Sequence, residues 1–205
     1  NMKKPMMIIN RKVVGERVYM DDLERGVHYE DCIINESDDG VRLNEMMFTR
    51  CMFNSSNFVR SEILDVIFDH CDLSNFEFDN SHIYRCEFHN CKLMATSLYE
   101  CFIKDVLFDR CMMNYSNISN SKVEDLSFVG GSAVEASFMN LKQKKMNFKS
   151  IDLEGSNFTE TALKGIDLSE ANFSNLLYSP HLIKGLSVNA IQAESLLIAM
   201  GVHVR

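Results

Sequence analysis

From residue 43 onward, large apolar residues recur at every fifth position. A helix returns its apolar face at three and four, and a strand alternates at two, so this period belongs to neither. In CDLSNFEFDNSHIYRCEFHNCKL, residues 71–93, the period is carried by Leu73, Phe78, Ile83, Phe88 and Leu93. One register holds from Leu43 through Tyr178, 28 consecutive pentapeptides, and only Ala133 and Gln143 lack a large apolar centre. Two places before each centre sits a mostly small or slim residue: Cys51, Ser56, Ser61, Val66, Cys71, Cys91, Thr96, Cys101, Cys111 and Ser116 among them. The remaining three positions are mainly Asp, Asn, Glu, Lys, Arg and Ser. A fixed repeat of this length marks an array and outranks local propensity in deciding the fold. Two inward side chains per five residues, one large and one small, suit a narrow tube whose stacked coils satisfy the backbone through ladder hydrogen bonds about 4.8 Å apart.

The segments ANFSN (171–175), SNFTE (156–160), CDLSN (71–75) and SNFVR (56–60) resemble the A(D/N)LXX motif of the pentapeptide-repeat family. The resemblance covers about two-thirds of the chain and implies an all-β solenoid, a right-handed quadrilateral β-helix with four pentapeptides per coil. Arranged in coils of twenty, the centres form columns. One is Phe48, Phe68, Phe88, Phe108, Phe128 and Phe148, ending in Leu168, and a small-residue column is Cys51, Cys71, Cys91 and Cys111. A zinc site needs four ligands converging on one point. A column spreads its sulfurs over roughly 14 Å, so these cysteines read as a core ladder of small hydrophobes and not as metal ligands.

Four regions follow: 1–11, a cloning scar (Asn1) and N-terminal segment set apart from the fold; 12–40, irregular N-terminal coils and a turn; 41–178, the repeat β-helix; and 179–205, a C-terminal loop, helix and short strand. Cys32 and Ile34 repeat the small–large spacing, but Ile34 lies nine residues before Leu43, so one or two irregular coils are expected there, followed by a bulge or loop at 35–40 (NESDDG). Pro180 and Gly185 are read as the end of the array. Asn189 with Gln192 predicts a capping box opening a helix over 189–200, with Gly201 as its stop. Ala190, Ala193, Leu196, Leu197 and Met200 form an apolar stripe at helical spacing. The open last coil of a solenoid must be capped. Ala193, Leu196, Leu197, Met200, Val202 and Val204, the last two in a short strand over 202–204, are predicted to cover it and to join two chains tail to tail.

Composition narrows the function. A net charge of −8 disfavours direct nucleic-acid binding, which relies on cationic side chains releasing counterions. Seven cysteines, an odd number with no CxxC pair, point to a reducing, cytoplasmic setting, and the apolar stretch at 6–10 is too short for a signal peptide. No run approaches the roughly 20 apolar residues of a membrane span. P-loop, GxSxG, HExxH and GxGxxG motifs are all missing, and His70, His82 and His89 fall at outward positions, so neither an enzyme, a cofactor nor a small-molecule substrate is expected. The register places Asp65, Asp105 and Asp125 outward in one corner column, with Asp69 and Asp109 beside it. Leu64, Ile67, Tyr84, Phe102 and Leu107 point outward nearby, and Lys142, Lys144, Lys145 and Lys149 make a basic band before the tail.

The uninterrupted repeat and the tail resemble the Qnr and mycobacterial fluoroquinolone-resistance proteins within this family. That resemblance implies a mimic of double-stranded DNA that binds DNA gyrase or topoisomerase IV and protects it from quinolones or toxins. Seven coils span roughly 34 Å, near ten base pairs. On this reading Asp65, Asp69, Asp105, Asp109 and Asp125 stand in for phosphates. The alternative is a cytoplasmic interaction scaffold with no topoisomerase target, reading its partner through Leu64, Ile67, Tyr84, Phe102 and Leu107.

Overall fold

The computed structural model describes residues 1–36 and 40–205. Residues 37–39, within the expected 35–40 loop, lie outside the described residues. The chain winds as a parallel β-solenoid. Its strands are β1 (Arg11–Val14), β2 (Arg17–Tyr19), β3 (Val27–Glu30), β4 (Ile33–Asn35), β5 (Arg42–Thr49), β6 (Met52–Phe53), β7 (Glu62–Asp69), β8 (His82–His89), β9 (Phe102–Asp109), β10 (Lys122–Val129), β11 (Lys142–Lys149), β12 (Asn157–Phe158) and β13 (Leu177–Tyr178). One sheet of eight parallel strands, β1-β3-β5-β7-β8-β9-β10-β11, wraps two faces, and β2-β4-β6 and β12-β13 form short sheets. The 71–80 half of each coil is made of turns joined by single bridges, such as Asp72 with Lys92 and Glu77 with Ser97.

Pairing confirms the twenty-residue coil. Leu43 faces Ile63, Ile63 faces Ile83, and Phe108 faces Phe128. The two N-terminal coils are shorter. Val13 pairs with Tyr29 and Tyr29 with Phe48, steps of sixteen and nineteen residues, which accounts for the nine-residue offset seen before Leu43. Every fifth residue from Arg60 to Gly165 has a left-handed backbone, with φ between 49° and 79°. Each eight-residue strand therefore bends around a corner at its fourth residue, Asp65 in β7 and Asp105 in β9. Asn and Gly, at Asn75, Asn80, Asn90, Asn120, Gly130 and Gly155, suit that conformation.

Inside, Tyr29, Phe48, Phe68, Phe88, Phe108, Phe128 and Phe148 stack with ring centroids 4.8–5.5 Å apart. Cys51, Cys71, Cys91 and Cys111 are buried, and each thiol donates weakly to a carbonyl of the preceding coil at 3.2–3.5 Å. Burial pushes the Cys51 and Cys86 thiols up to about 12, the behaviour of inert core groups.

Three sequence expectations need correction at the ends. First, the array does not stop at Pro180. The amides of Leu163, Gly165 and Leu168 are bonded by Leu182, Gly185 and Ser187, so 182–188 forms another partial coil. Gly185, with φ +88°, turns a corner of that coil instead of ending the array. Second, 202–204 is not a strand, because the chain folds back on the end of helix α1 (Ala190–Ala199), where the Val202 amide donates to the Leu197 carbonyl at 2.9 Å. Third, the helix buries a different face from the expected stripe. Gln192 and Leu196 are its buried residues, while Ala190, Leu197 and Met200 are exposed. The Asn189–Gln192 capping box is present as read.

Candidate functional site

The corner column runs Glu45, Asp65, Arg85, Asp105, Asp125, Lys145, each with a left-handed backbone that aims its side chain off the edge of the tube. Like charges stacked about 4.8 Å apart repel, and the column intersperses opposite ones. Arg85 grips Asp65 with two bonds, Nε to Oδ1 and Nη2 to Oδ2, both 2.6 Å, and lies 4.5 Å from the centre of the Tyr84 ring. Lys145 reaches Asp125 at 3.1 Å, and Arg25 pairs with Glu45.

The N-terminal segment, set apart from the fold in the sequence reading, lies lengthwise along this column. The Asn10 amide donates to the Gly26 carbonyl at 2.9 Å, the Met6 amide to Asp65 Oδ1 at 2.8 Å and the Lys3 amide to Asp105 Oδ1 at 2.9 Å. Three extended residues reach about 10 Å, and two coils rise about 9.6 Å, so alternate corner carboxylates match the strap's own spacing. Asp65 is consequently only 2% exposed and Asp105 5%. The outward, solvent-facing corner expected from the register is thus corrected: both carboxylates leave the tube's surface as read, but the strap covers them. Asp105 Oδ2 is buried with no hydrogen-bond partner among the described residues.

Beside the corner, Asp69 meets His70 at 2.7 Å, while Asp109 is held by Arg110 at 3.0 and 3.1 Å and by His89 at 3.0 Å. The Arg110 hydrogen bonds, helped by His89, hold the Asp109 carboxyl below its ordinary range. His89 also bonds Glu87 at 2.8 Å, and that bond, with Asp109 on its other side, raises the imidazole above its usual value despite burial. His89 is therefore a bridged group and not the freely solvated histidine its outward position suggested. Asp69, His89 and Asp109 stand in one column, so the twenty-residue register could have revealed the contact.

The five apolar residues do not make one patch. Leu64, Tyr84 and Phe102 line a shallow depression with Glu62, His82 and Lys104. Ile67 and Leu107 lie beyond the corner, with Glu87 paired between them. All five are half-buried. At the other end, Leu196 is buried and Ala193 half-buried, while Leu197, Met200, Val202 and Val204 are exposed together with Ile191 and Ile198. The closure of the tube depends on a residue absent from the expected set: Gln192, 3% exposed, whose Nε2 donates to the carbonyls of Leu168 and Ala171, both at 2.8 Å. Among the described residues no cluster of His, Cys, Asp and Glu is arranged to hold a metal ion, and no helix is long and apolar enough to cross a membrane.

Residues 61–138 match the model of the pentapeptide repeat region, and 145–175 match that of pentapeptide repeats in eight copies. No curated protein sequence matches significantly. Among solved structures, a trypsin-treated form of QnrB1, a plasmid-mediated fluoroquinolone resistance protein, aligns with a TM-score of 0.55 at 19% identity, covering 98% of this chain and 100% of its own. That likeness is one of fold. Full-length QnrB1 aligns at TM-score 0.42 and 18% identity, over 96% of this chain and 100% of its own. HetL, a pentapeptide repeat protein involved in heterocyst differentiation regulation from the cyanobacterium Nostoc sp., aligns at 0.39 and 10%, over 91% and 86% respectively.

Proposed function

The chain belongs to the pentapeptide-repeat family, and on that premise we propose that it is a non-enzymatic mimic of double-stranded DNA that binds DNA gyrase or topoisomerase IV and protects it from quinolones or toxins. The observation that carries this reading is the shape. An uninterrupted rod rising about 4.8 Å per coil presents carboxylates in straight columns along its edges, including Asp69 and Asp109 two coils apart. A net charge of −8 suits the cationic groove in which a topoisomerase holds its duplex. QnrB1, a plasmid-mediated fluoroquinolone resistance protein, shares the rod along the whole of both chains, which favours drug protection as its role here. Function lives in sites and not in folds, so the partner rests on the columns and not on the tube.

Of the five phosphate stand-ins, Asp69, Asp109 and Asp125 present negative charge at the surface, while Asp65 and Asp105 lie beneath the N-terminal segment. The protein acts in the cytoplasm as a homodimer, with the exposed Leu197, Ile198, Met200, Val202 and Val204 of two chains covering each other. A second reading, an interaction scaffold without a topoisomerase target, is favoured by the depression lined by Leu64, Tyr84 and Phe102.

The test is supercoiling by purified gyrase in the presence of ciprofloxacin and increasing protein. It runs beside a variant with Asp69, Asp109 and Asp125 changed to Asn, which leaves the buried Asp65–Arg85 pair intact. Protection or inhibition that disappears in the variant supports mimicry. No effect on gyrase or topoisomerase IV at micromolar protein leaves the scaffold reading.

A further inference from the structure

The N-terminal strap is attached differently from everything else in the fold. Among the described residues, every coil of the tube is held by backbone ladder bonds, whereas residues 2–9 are held by two amides, Lys3 and Met6, donating to side-chain carboxylates. Only Met2, Pro5 and Met7 of the segment are half-buried, while Met6 is 65% exposed and Ile8 80%, and Lys3 and Lys4 also face solvent. It is a light attachment over a heavily charged line.

What it covers is specific. Asp65 and Asp105 are the two corner carboxylates the strap contacts, and among the described residues buried Asp105 Oδ2 has no hydrogen-bond partner. A desolvated carboxylate oxygen with no donor is costly, so the closed arrangement leaves an acceptor that the strap does not satisfy. At the root of the strap sits Gly26, with φ +77°. A Cβ there would come within 3.1 Å of the Ile8 carbonyl and 3.3 Å of the Asn10 side chain, so the close seat of the root depends on glycine. The strap brings backbone amide donors to these carboxylates and carries Lys3 and Lys4 on its solvent side, the donors and charge a cationic partner would also bring.

We propose that residues 2–9 are an intramolecular cover that competes with a cationic partner for the acidic corner, so that Asp65 and Asp105 are presented only when the segment lifts. This regulation rests on the reading of the corner as the binding edge. Because the contacts are with the carboxylates themselves, a partner able to reach Asp105 Oδ2 displaces the strap from its outer end, Lys3 first and then Met6, while the Asn10–Gly26 root holds. The apparent affinity of the corner is then the intrinsic affinity reduced by the fraction of molecules with the cover open.

The experiment uses the full chain with Lys3→Pro and Met6→Pro, which removes both amide donors and leaves every residue of the tube unchanged. Fluorescent poly-lysine at low salt is the probe of the corner, and proteinase K cleavage within residues 2–9, followed by mass spectrometry in wild type and variant, reports the strap. Loss of charge-assisted hydrogen bonds of this kind shifts a closed–open ratio by roughly tenfold. The expected result is poly-lysine binding about tenfold tighter than wild type with faster cleavage, the gain vanishing when Asp105→Asn is added. A synthetic peptide of residues 2–9 added to the double-proline variant should weaken the probe again. Unchanged poly-lysine affinity in the double-proline variant, with its circular dichroism unaltered, overturns the proposal. Tighter poly-lysine binding with no effect of either form on gyrase keeps the cover and removes the topoisomerase reading.

Discussion

Phe88→Ala should be among the most damaging single truncations in the chain. Phe88 is 1% exposed, and its ring stacks on Phe68 at 5.0 Å and on Phe108 at 4.8 Å, with interplanar angles of 11° and 20°. Truncating a buried phenylalanine costs about 3–5 kcal/mol in lost transfer energy and cavity. Two aromatic pairs add about 0.5–1.5 kcal/mol each beyond the area buried. The backbone cannot collapse onto the gap, because β7, β8 and β9 are held at ladder spacing on both sides. The expected loss is therefore about 5 kcal/mol, against about 1.5 kcal/mol for the roughly volume-conserving Phe88→Leu. Urea unfolding followed by far-UV circular dichroism and by tyrosine fluorescence measures both, and an unchanged slope with denaturant shows that the same surface is being exposed. In a solenoid each coil is coupled chiefly to its neighbours, so the two probes should still move together if the ladder is one cooperative column. A loss below about 2 kcal/mol for Phe88→Ala, or equal losses for Ala and Leu, would refute the stacked-column account.

Gln192→Leu should lower stability by about 1–3 kcal/mol, read as a fall in melting temperature, because it strips the donor from two carbonyls at the closed end of the tube. The His89 bridge contributes stability that is full below the ordinary histidine value of about 6.5 and is lost as pH rises through the raised folded value. His28 has the opposite sign, its lowered value removing stability as pH falls through that range, so the test is the difference between wild type and His89→Gln across pH 5 to 8. A pH-independent difference would rule out the bridge. Gly131→Ala should cost about 2–4 kcal/mol, since φ is +74° and a Cβ would lie 2.1 Å from the Cys111 carbonyl oxygen; a melting temperature within a degree of wild type would contradict that geometry. Light scattering on the intact chain at micromolar concentration should give a dimer mass, converted to monomer by Ile198→Asp, and a monomer mass for the wild type would end the tail-to-tail reading.

The tube was legible because its core writes itself into the sequence twice, as a period of five and as columns of twenty. Phe48 to Phe148 and Cys51 to Cys111 fall into their columns from the sequence alone. The acidic corner was legible as a column but not as an environment. The strap touches it through backbone amides, which every residue but proline carries, so nothing in MKKPMMII distinguishes Lys3 and Met6 as donors. Gln192 was legible as the capping-box partner of Asn189 but not as the donor that closes the tube, because helical periodicity selects apolar faces, whereas the tube's end needed a donor for its carbonyls. The sixteen- and nineteen-residue coils were visible only as a slip in register, because Cys32 and Ile34 keep the inward small–large spacing of the regular coils.

The twenty-residue ladder also makes the molecule a ruler with discrete divisions. Insertion or loss of a full coil would move every distal feature by one rung, about 4.8 Å, and leave it on the same edge. Five residues gained or lost would preserve the inward pattern yet carry each later side chain to the adjacent edge of the square, so the core would survive while the surface was dealt out anew. Length changes within the regular coils are therefore filtered by what the outside must present, and steps of sixteen and nineteen occur between β1, β3 and β5 and between β2, β4 and β6, before the uninterrupted count begins.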